Sequence, residues 1–301
     1  MSDTVLLTDS GLETDLIFNH GVDLPDFAAF VLLDDPHGRT LLEQIYRDHI
    51  EVAEQAGLGI VLETPTWRAS ADWGARLGYG PADLARVNRD AVRMLIDLRD
   101  SAKVDVIVSG CVGPRGDGYV ASAAMSVGEA QRYHAPQVRA LAEAGADLVS
   151  ALTMTTAAEA TGFVQAVVEA GAAPVVSFTV EVDGDLPDGT SLADAVQSVD
   201  DATAGAARWF MVNCAHPQHV LPALENAGAW VQRVQALRVN ASRKSHAELD
   251  ESTELDAGDP VELATDVLDL RNRNTSLRIV GGCCGTDVRH VREIARALTS
   301  A

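Results

Sequence analysis

Short apolar runs alternate with longer amphipathic segments along the whole chain. The short runs are rich in β-branched residues, which is typical of buried strands, and the longer segments repeat apolar residues with helical spacing. Eight strands are predicted in this way: Val5–Thr8, Gly59–Leu62, Val104–Ser109, Asp147–Ala151, Val175–Val180, Trp209–Asn213, Val234–Val239 and Leu277–Val280. Leu41–Ala56 and Leu84–Leu98 are two of the predicted helices between them.

An Ala-Gly pair recurs where a predicted helix gives way to a strand, at Ala56-Gly57, Ala144-Gly145, Ala170-Gly171 and Ala227-Gly228. Glycine there supplies the left-handed conformation that ends a helix. Eight repeated strand–helix units predict an α/β fold, a (β/α)₈ TIM barrel that forms a single domain over residues 1–301.

A doubly wound sheet is the alternative, but no Gly-x-Gly-x-x-Gly follows the first strand, so a dinucleotide-binding version is not supported. The polar stretch Arg243–Asp259 is predicted to be a long insertion near the active face. Pro136 is expected either to kink the third helical segment or to mark its start.

Composition narrows the classes of partner. The chain has 301 residues and a net charge of -21, which repels phosphate backbones and anionic lipids, so neither nucleic acid nor a membrane is an expected partner. No apolar run approaches the roughly 20 residues that span a bilayer, and Met1-Ser2-Asp3-Thr4 does not resemble a signal peptide. We therefore expect a cytoplasmic protein, while oligomer formation stays possible and unassigned.

Three of the four cysteines are predicted to meet at one end of the barrel. Cys214 follows the sixth strand, and Cys283 and Cys284 follow the eighth within Gly281-Gly282-Cys283-Cys284-Gly285. The carboxyl ends of barrel strands form the active face, and thiolates are preferred zinc ligands. Adjacent residues of a strand point to opposite faces, so the paired cysteines can share a metal only where the glycines break the strand. The alternative is that they are small buried residues in tight loops.

Three further residues have less specific predictions. Cys111 stands alone and is predicted to be a small buried residue. His216 lies two residues after Cys214 and could be a ligand, although a supporting or substrate-facing role, or no role at all, is favoured. His290 is predicted to lie on the surface of the last helix.

With these motifs, the chain resembles the homocysteine S-methyltransferase family over nearly its whole length. Gly281-Gly282-Cys283-Cys284-Gly285-Thr286 and Asn213-Cys214-Ala215-His216-Pro217 are similar to the family's eighth- and sixth-strand motifs. The resemblance implies a zinc-bearing (β/α)₈ barrel in which the thiol of the substrate takes the open zinc position. A zinc-bound thiol is more readily deprotonated, and the thiolate is the nucleophile. No catalytic side chain beyond this activated substrate thiolate is therefore expected.

The expected partners are a small-molecule thiol and a methyl donor, and five residues are candidates to bind them: Asp9, Glu63, Trp67, Ser177 and Asn240. The family's fourth strand usually carries a glutamate that holds the substrate ammonium, and Leu152 stands at that place here. Glu63 is the hypothetical replacement, with a pair between Glu63 and Arg68 as the alternative. Trp67 is a candidate cation–π wall for the donor, or a packed aromatic.

The leading hypothesis is zinc-dependent methyl transfer to homocysteine, giving methionine, from a small sulfonium or ammonium donor such as S-methylmethionine or S-adenosylmethionine. Leu152 keeps a different thiol acceptor open. A zinc hydrolase is the second alternative, although three thiolates make zinc a weak Lewis acid. A zinc- or thiol-sensing protein without turnover is the third.

Overall fold

Eight parallel strands close into a barrel in chain order, from β1 to β8, with β8 paired to β1. The computed structural model describes residues 5–121, 125–224, 228–250, 252 and 254–300. The strands are β1 (Leu6–Thr8), β2 (Gly59–Glu63), β3 (Val106–Val112), β4 (Leu148–Met154), β5 (Pro174–Phe178), β6 (Trp209–Ala215), β7 (Val234–Val239) and β8 (Ile279–Gly282). The predicted (β/α)₈ barrel is confirmed.

Helices surround the barrel between successive strands. The α-helices are α1 (Leu12–Thr14), α2 (Pro36–Ala56), α3 (Ala71–Arg76), α4 (Pro81–Arg99), α5 (Val127–Glu143), α6 (Ala157–Glu169), α7 (Leu192–Thr203), α8 (Pro217–Leu224), α9 (His246–Asp250), α10 (Pro260–Arg273) and α11 (Val288–Ser300). Shorter π and 3₁₀ turns cover Asp15–Asn19, Pro25–Phe27, Ala29–Asp34 and Ala229–Arg233. Among the described residues, no helix has the length and apolar character needed to cross a membrane.

Several strands continue further toward their carboxyl ends than the apolar pattern predicts. β3 extends to Val112, β4 to Met154 and β6 to Ala215, and β8 runs to Gly282. Neighbouring strands supply the pairing, as where Cys111 lies opposite Ser150. Because a closed barrel pairs polar and small residues as readily as apolar ones, hydrophobicity alone placed these ends too early.

Helix starts also differ from the pattern, for an identifiable reason. α2 begins at Pro36 rather than Leu41, since the Asp35 side chain accepts a hydrogen bond from Gly38 N at 2.8 Å and proline fits the first helical position. Pro136 lies inside α5, so its prediction as a helix start is wrong.

Three of the four Ala-Gly signals end a helix as predicted, with left-handed φ of 65° at Gly57, 96° at Gly145 and 73° at Gly171. The fourth is wrong: Gly228 has φ of -78° and precedes the 3₁₀ turn Ala229–Arg233, while Ala227 lies outside the described residues.

The hydrophobic core has two layers. One fills the space between the barrel and its helices. The other lies inside the barrel and consists of Val61, Cys111, Leu148, Leu152, Val175, Trp209, Met211, Ala236 and Ile279. This inner layer supports the cavity at the carboxyl end of the strands. The predicted insertion Arg243–Asp259 contains α9, and its residues 251 and 253 lie outside the described part.

Candidate active site and metal centre

The carboxyl ends of β6 and β8 bring Cys214, Cys283 and Cys284 together, with all three sulfur atoms within 4.8 Å of one another. We call these three residues the cysteine cluster. The Sγ atoms of Cys214 and Cys284 are 3.8 Å apart. Cys214 and Cys283 are joined as a disulfide, with Cα atoms 5.4 Å apart, and Cys284 is a free thiol.

Backbone irregularities aim these side chains at one point. Cys214 has a left-handed φ of 54°, and the β6–β7 pairing shifts register between Asn213 and Ala215. β8 stops at Gly282, directly before the paired cysteines, and Gly285 has φ of 78°. The strand therefore ends where the two adjacent cysteines must face the same way.

Side chains from other elements hold this turn of β6 in place. The Cys214 carbonyl accepts hydrogen bonds from Asn240 Nδ2 at 3.0 Å and from His246 Nε2 at 2.7 Å. The His246 ring stacks on Tyr119 with centroids 4.1 Å apart, and the Tyr119 hydroxyl is 3.5 Å from Cys284 Sγ. Oriented ligands of this kind are what a metal site requires.

Asn213 links three strands beside the cysteines. Its Oδ1 accepts from Ser177 Oγ at 2.6 Å and from the Thr153 amide at 2.8 Å, and its Nδ2 donates to Thr153 Oγ1 at 2.8 Å. Nδ2 also lies 3.8 Å from Cys283 Sγ. Thr153 has φ of 62°, at an irregularity in the β4–β5 pairing, so the amide of Asn213 stabilises an unusual backbone.

The donor set fits a tetrahedral thiophilic metal. Zinc–sulfur bonds of about 2.3 Å place tetrahedral sulfurs about 3.8 Å apart, which matches the 3.8 Å between Cys214 and Cys284. Burial raises the pKa of the Cys284 thiol to about 11, so its thiolate needs a cation beside it. Cys214 and Cys283 must be reduced before they can bind a metal, because the ligand is the thiolate.

A cavity of about 290 Å³ opens in front of the cysteine cluster. Of the predicted substrate-binding residues, Asp9, Glu63 and Trp67 line it together with all three cysteines. Ser177 and Asn240 lie outside this lining: Ser177 contacts Asn213, and Asn240 contacts the Cys214 carbonyl.

A second group of residues in the cavity wall consists of Asp9, Glu63 and Arg238, which we call the charged cluster. All three are buried, with 5%, 6% and 4% of their surfaces exposed. Arg238 forms an ion pair with Asp9 and donates from Nη2 to the Ser10 carbonyl at 3.2 Å. Asp9 Oδ2 accepts from the Glu63 amide at 2.9 Å. Sequence reasoning missed Arg238 because it stands within an ordinary apolar strand; a charged residue between Leu237 and Val239 was the available signal.

Burial sets the protonation behaviour of the carboxyl groups in the wall. It raises the pKa of Glu63 to about 7, against the attraction of Arg238, while Asp9 adds to the rise. It likewise raises the pKa of Glu13, another lining residue, to about 7. Both groups therefore change charge near neutral pH, which is common in functional sites.

Trp67 and Leu152 form a less polar part of the wall. The guanidinium of Arg68 lies 4.1 Å from the Trp67 ring centroid and 3.6 Å from that of Trp73, so one face of Trp67 is covered. Arg68 Nη1 donates to the Gly116 carbonyl at 3.0 Å. Among the described residues, Glu63 and Arg68 form no ion pair, so the alternative pairing is not seen. The positive charge that attracts the Glu63 carboxylate is that of Arg238.

Cys111 is buried as predicted and lines the cavity apart from the cysteine cluster. His216 is also buried, with Nε2 3.8 Å from Asp266, and it does not line the cavity. The surface prediction for His290 is wrong: it is fully buried, and its Nε2 lies 2.8 Å from the Ala257 carbonyl. A histidine inside an amphipathic helix was placed on the wrong face.

The chain matches the family described as homocysteine S-methyltransferase over residues 6–298. Homocysteine S-methyltransferase YbgG from Bacillus subtilis (strain 168) is 24% identical, covering 97% of this chain and 93% of the relative. Homocysteine S-methyltransferase from Escherichia coli (strain K12) is 26% identical, covering 94% of this chain and 91% of the relative.

Among solved structures, the metallated form of the homocysteine methyltransferase MmuM from Escherichia coli has a TM-score of 0.77 at 22% identity. The similarity covers 97% of this chain and 96% of that chain. At this identity the likeness shows a shared fold.

Proposed function

We propose that this chain, which belongs to the homocysteine S-methyltransferase family, transfers a methyl group from a small sulfonium or ammonium donor to the thiol of homocysteine, giving methionine. The family is one of methyltransferase enzymes. The observation that carries the proposal is the cysteine cluster, three sulfurs within 4.8 Å of one another in the wall of a cavity at the carboxyl end of the barrel.

Zinc is the proposed metal, held by Cys214, Cys283 and Cys284, because three thiolates at this spacing suit its tetrahedral preference. When bound, zinc would favour the thiolate form of the acceptor, which is the nucleophile in methyl transfer. The rest of the protein's task is to hold donor and acceptor in line. Asn240 and His246 fix the Cys214 backbone for that purpose, and Asn213 Nδ2 lies beside Cys283 Sγ.

The charge of the wall supports a cationic donor such as S-methylmethionine or S-adenosylmethionine. Four lining residues are acidic and two are basic: Asp9, Glu13, Glu63 and Asp117 against Arg68 and Arg238. Glu13 and Glu63 have pKa values of about 7 and are ionised in part at neutral pH, so the wall keeps a small net negative charge, which raises the local concentration of cations. Trp67 offers one ring face to a sulfonium or ammonium, since Arg68 covers the other.

Asp9 and Glu63 are the proposed partners of the acceptor ammonium, because both carboxyl groups line the cavity and Leu152 offers none. Leu152 also supports the alternative of a thiol acceptor other than homocysteine. The proposed reactants are small molecules, and a cytoplasmic location stays our prediction.

The test is a methyl-transfer assay with reduced, zinc-loaded protein. Homocysteine is offered with S-methylmethionine, S-adenosylmethionine and betaine in turn, and methionine is measured. Product with one donor is the expected result. Bound zinc without product from any donor would overturn homocysteine as the acceptor.

The same assay with other thiols in place of homocysteine tests the alternative. Methylation of another thiol, with homocysteine inert, would keep the metal chemistry and change the substrate.

A further inference from the structure

The charged cluster contains hydrogen-bonding capacity that the protein leaves unused. Arg238 Nε and Glu63 Oε2 are buried atoms without a hydrogen-bond partner. Asp9 Oδ1 and Arg238 Nη1 form an ion pair with each other, but the arrangement does not have the geometry of a hydrogen bond. Buried polar groups are ordinarily paired, and an unpaired one is destabilising. Arg68 Nε is likewise a buried donor without a partner, so two free donors and one free acceptor belong to residues that line the same cavity.

The free donor of Arg238 and the free acceptor of Glu63 are complementary to the head group of an α-amino acid. A guanidinium binds a carboxylate through parallel N–H donors, and a buried carboxylate binds an ammonium. Burial raises the pKa of Glu63 to about 7 despite the attraction of Arg238. A second cation beside Glu63 would lower that pKa, as expected where a ligand completes the site.

The position of Arg238 suits a short thiol. β7 lies between the two cysteine-bearing strands, and Arg238 pairs with Asn213 on β6 and Gly281 on β8. Cys214 follows Asn213 by one residue, and Cys283 follows Gly281 by two. Along parallel strands these offsets correspond to about 3–7 Å, a span that two or three carbons can bridge.

We propose that Arg238 is a specificity-determining residue that binds the carboxylate of the acceptor, while Glu63 faces its ammonium. The inference rests on the proposed function, since it assigns the head-group site of the same acceptor. If Arg238 did not bind the acceptor, it would be a structural residue that only neutralises Asp9. The choice of ligand would then not depend on Arg238.

The experiment uses thioethers, which need no metal, and reduced metal-free protein. Calorimetry compares methionine with 3-(methylsulfanyl)propan-1-amine, which lacks the carboxylate, and with 4-(methylsulfanyl)butanoate, which lacks the ammonium. A hydrogen-bonded charge is worth about tenfold in affinity or more, so the wild type should favour methionine over the amine by at least that factor. In Arg238→Met the ratio should fall below about twofold, and Arg238→Lys should retain part of it.

Arg68→Met is the matched control, because Arg68 also lines the cavity and also has an unpaired Nε, but its guanidinium stacks between two tryptophans. It should leave the methionine-to-amine ratio unchanged. Since Arg238→Met leaves Asp9 buried without its cation, the charge-balanced Asp9→Asn/Arg238→Met variant is measured as well, with thermal unfolding as the check on folding.

An unchanged ratio in the Arg238 variants, or no preference for methionine over the amine in the wild type, would overturn the assignment. Its failure is distinct from that of the proposed function. If homocysteine is methylated but the methionine-to-amine affinity ratio does not depend on Arg238, only the carboxylate-binding role of Arg238 is rejected. Arg238-dependent discrimination without methyl transfer rejects the reaction and keeps the carboxylate site.

Discussion

The cysteine cluster and the charged cluster share one cavity but are built in opposite ways. Around the cysteines, side chains from other elements hydrogen-bond the backbone: Asn240 and His246 both contact the Cys214 carbonyl. In the charged cluster, by contrast, atoms of the charged groups themselves, Glu63 Oε2 and Arg238 Nε, are buried without partners, whereas beside the cysteines the unpaired Oδ1 of Asn240 belongs to a supporting amide. The difference indicates two uses. A metal site needs ligands oriented in advance, whereas a site for a polar ligand keeps capacity that the ligand itself satisfies.

The largest expected effect comes from removing a sulfur of the cysteine cluster. Cys214→Ala should abolish stoichiometric zinc binding and lower methyl transfer by more than about 100-fold, beyond the 10–100-fold cost of losing a group that only orients a ligand. Metal analysis of reduced protein gives the first readout. Cys111→Ser is the control and should retain its zinc, because Cys111 lies apart from the cluster. Undiminished zinc in Cys214→Ala would remove that ligand from the proposal.

The next largest effect is expected from removing Asn213, whose amide supports the cysteine cluster. Asn213→Ala leaves the Thr153 amide and the Ser177 hydroxyl without their acceptor. Two such losses should lower the free energy of unfolding by about 3 kcal/mol and weaken zinc binding by about 10–100-fold. Chemical denaturation and metal competition measure the two quantities.

Ser177→Ala is the matched variant for Asn213, since it removes one hydrogen bond and leaves the Thr153 contacts. It should cost about 1 kcal/mol and leave zinc affinity nearly unchanged. Equal loss of zinc affinity in both variants would contradict a specific role of the Asn213 amide.

A third prediction concerns the charged cluster and pH. The pKa of Glu63 rises from an ordinary 4.5 to about 7 in the folded protein, chiefly through burial. The folded state therefore binds more protons than the unfolded state between these values, so the contribution of Glu63 is full below pH 4.5 and is lost as pH rises through 7. Glu63→Gln should be more stable than the wild type at pH 8 by about 2 kcal/mol.

Denaturation at pH 5 and pH 8 checks this sign. The loss of stability between the two pH values should be smaller in Glu63→Gln than in the wild type. Glu13→Gln serves for comparison, because Glu13 also has a raised pKa but is no member of the charged cluster. Identical pH slopes in Glu63→Gln and the wild type would show that Glu63 does not titrate in this range.

The smallest expected effect comes from adding one more carboxylate to the cavity wall. Leu152→Glu adds a carboxylate to the cavity wall and should improve the preference for methionine over 4-(methylsulfanyl)butanoate by about two- to fivefold, as for a partly solvated ion pair. Leu152→Gln is the uncharged control. A reduced preference in Leu152→Glu would indicate that the head group does not approach Leu152.

The two clusters also differ in how far the sequence predicts them. Cys214 and the paired Cys283 and Cys284 lie in short motifs whose glycines and strand-end positions are visible locally, so the barrel pattern was enough to predict that they meet. Asp9 and Glu63 were predicted in the same way, as polar residues at strand ends. Ser177 and Asn240 occupy equivalent places along the chain, yet they contact backbone and side chains around the cysteines rather than the cavity.

The sequence by itself determined the eight-strand barrel and the thiol-rich end of it, because hydrophobic periodicity and glycine stops act over a few residues. Only the tertiary structure decided which polar side chains face the ligand. Arg238 reaches Asp9 across more than two hundred residues, and the direction of a side chain inside a closed barrel depends on strand register and on neighbouring side chains. Tertiary contacts also decided the burial of His290, which lies on α11 with its Nε2 2.8 Å from the Ala257 carbonyl.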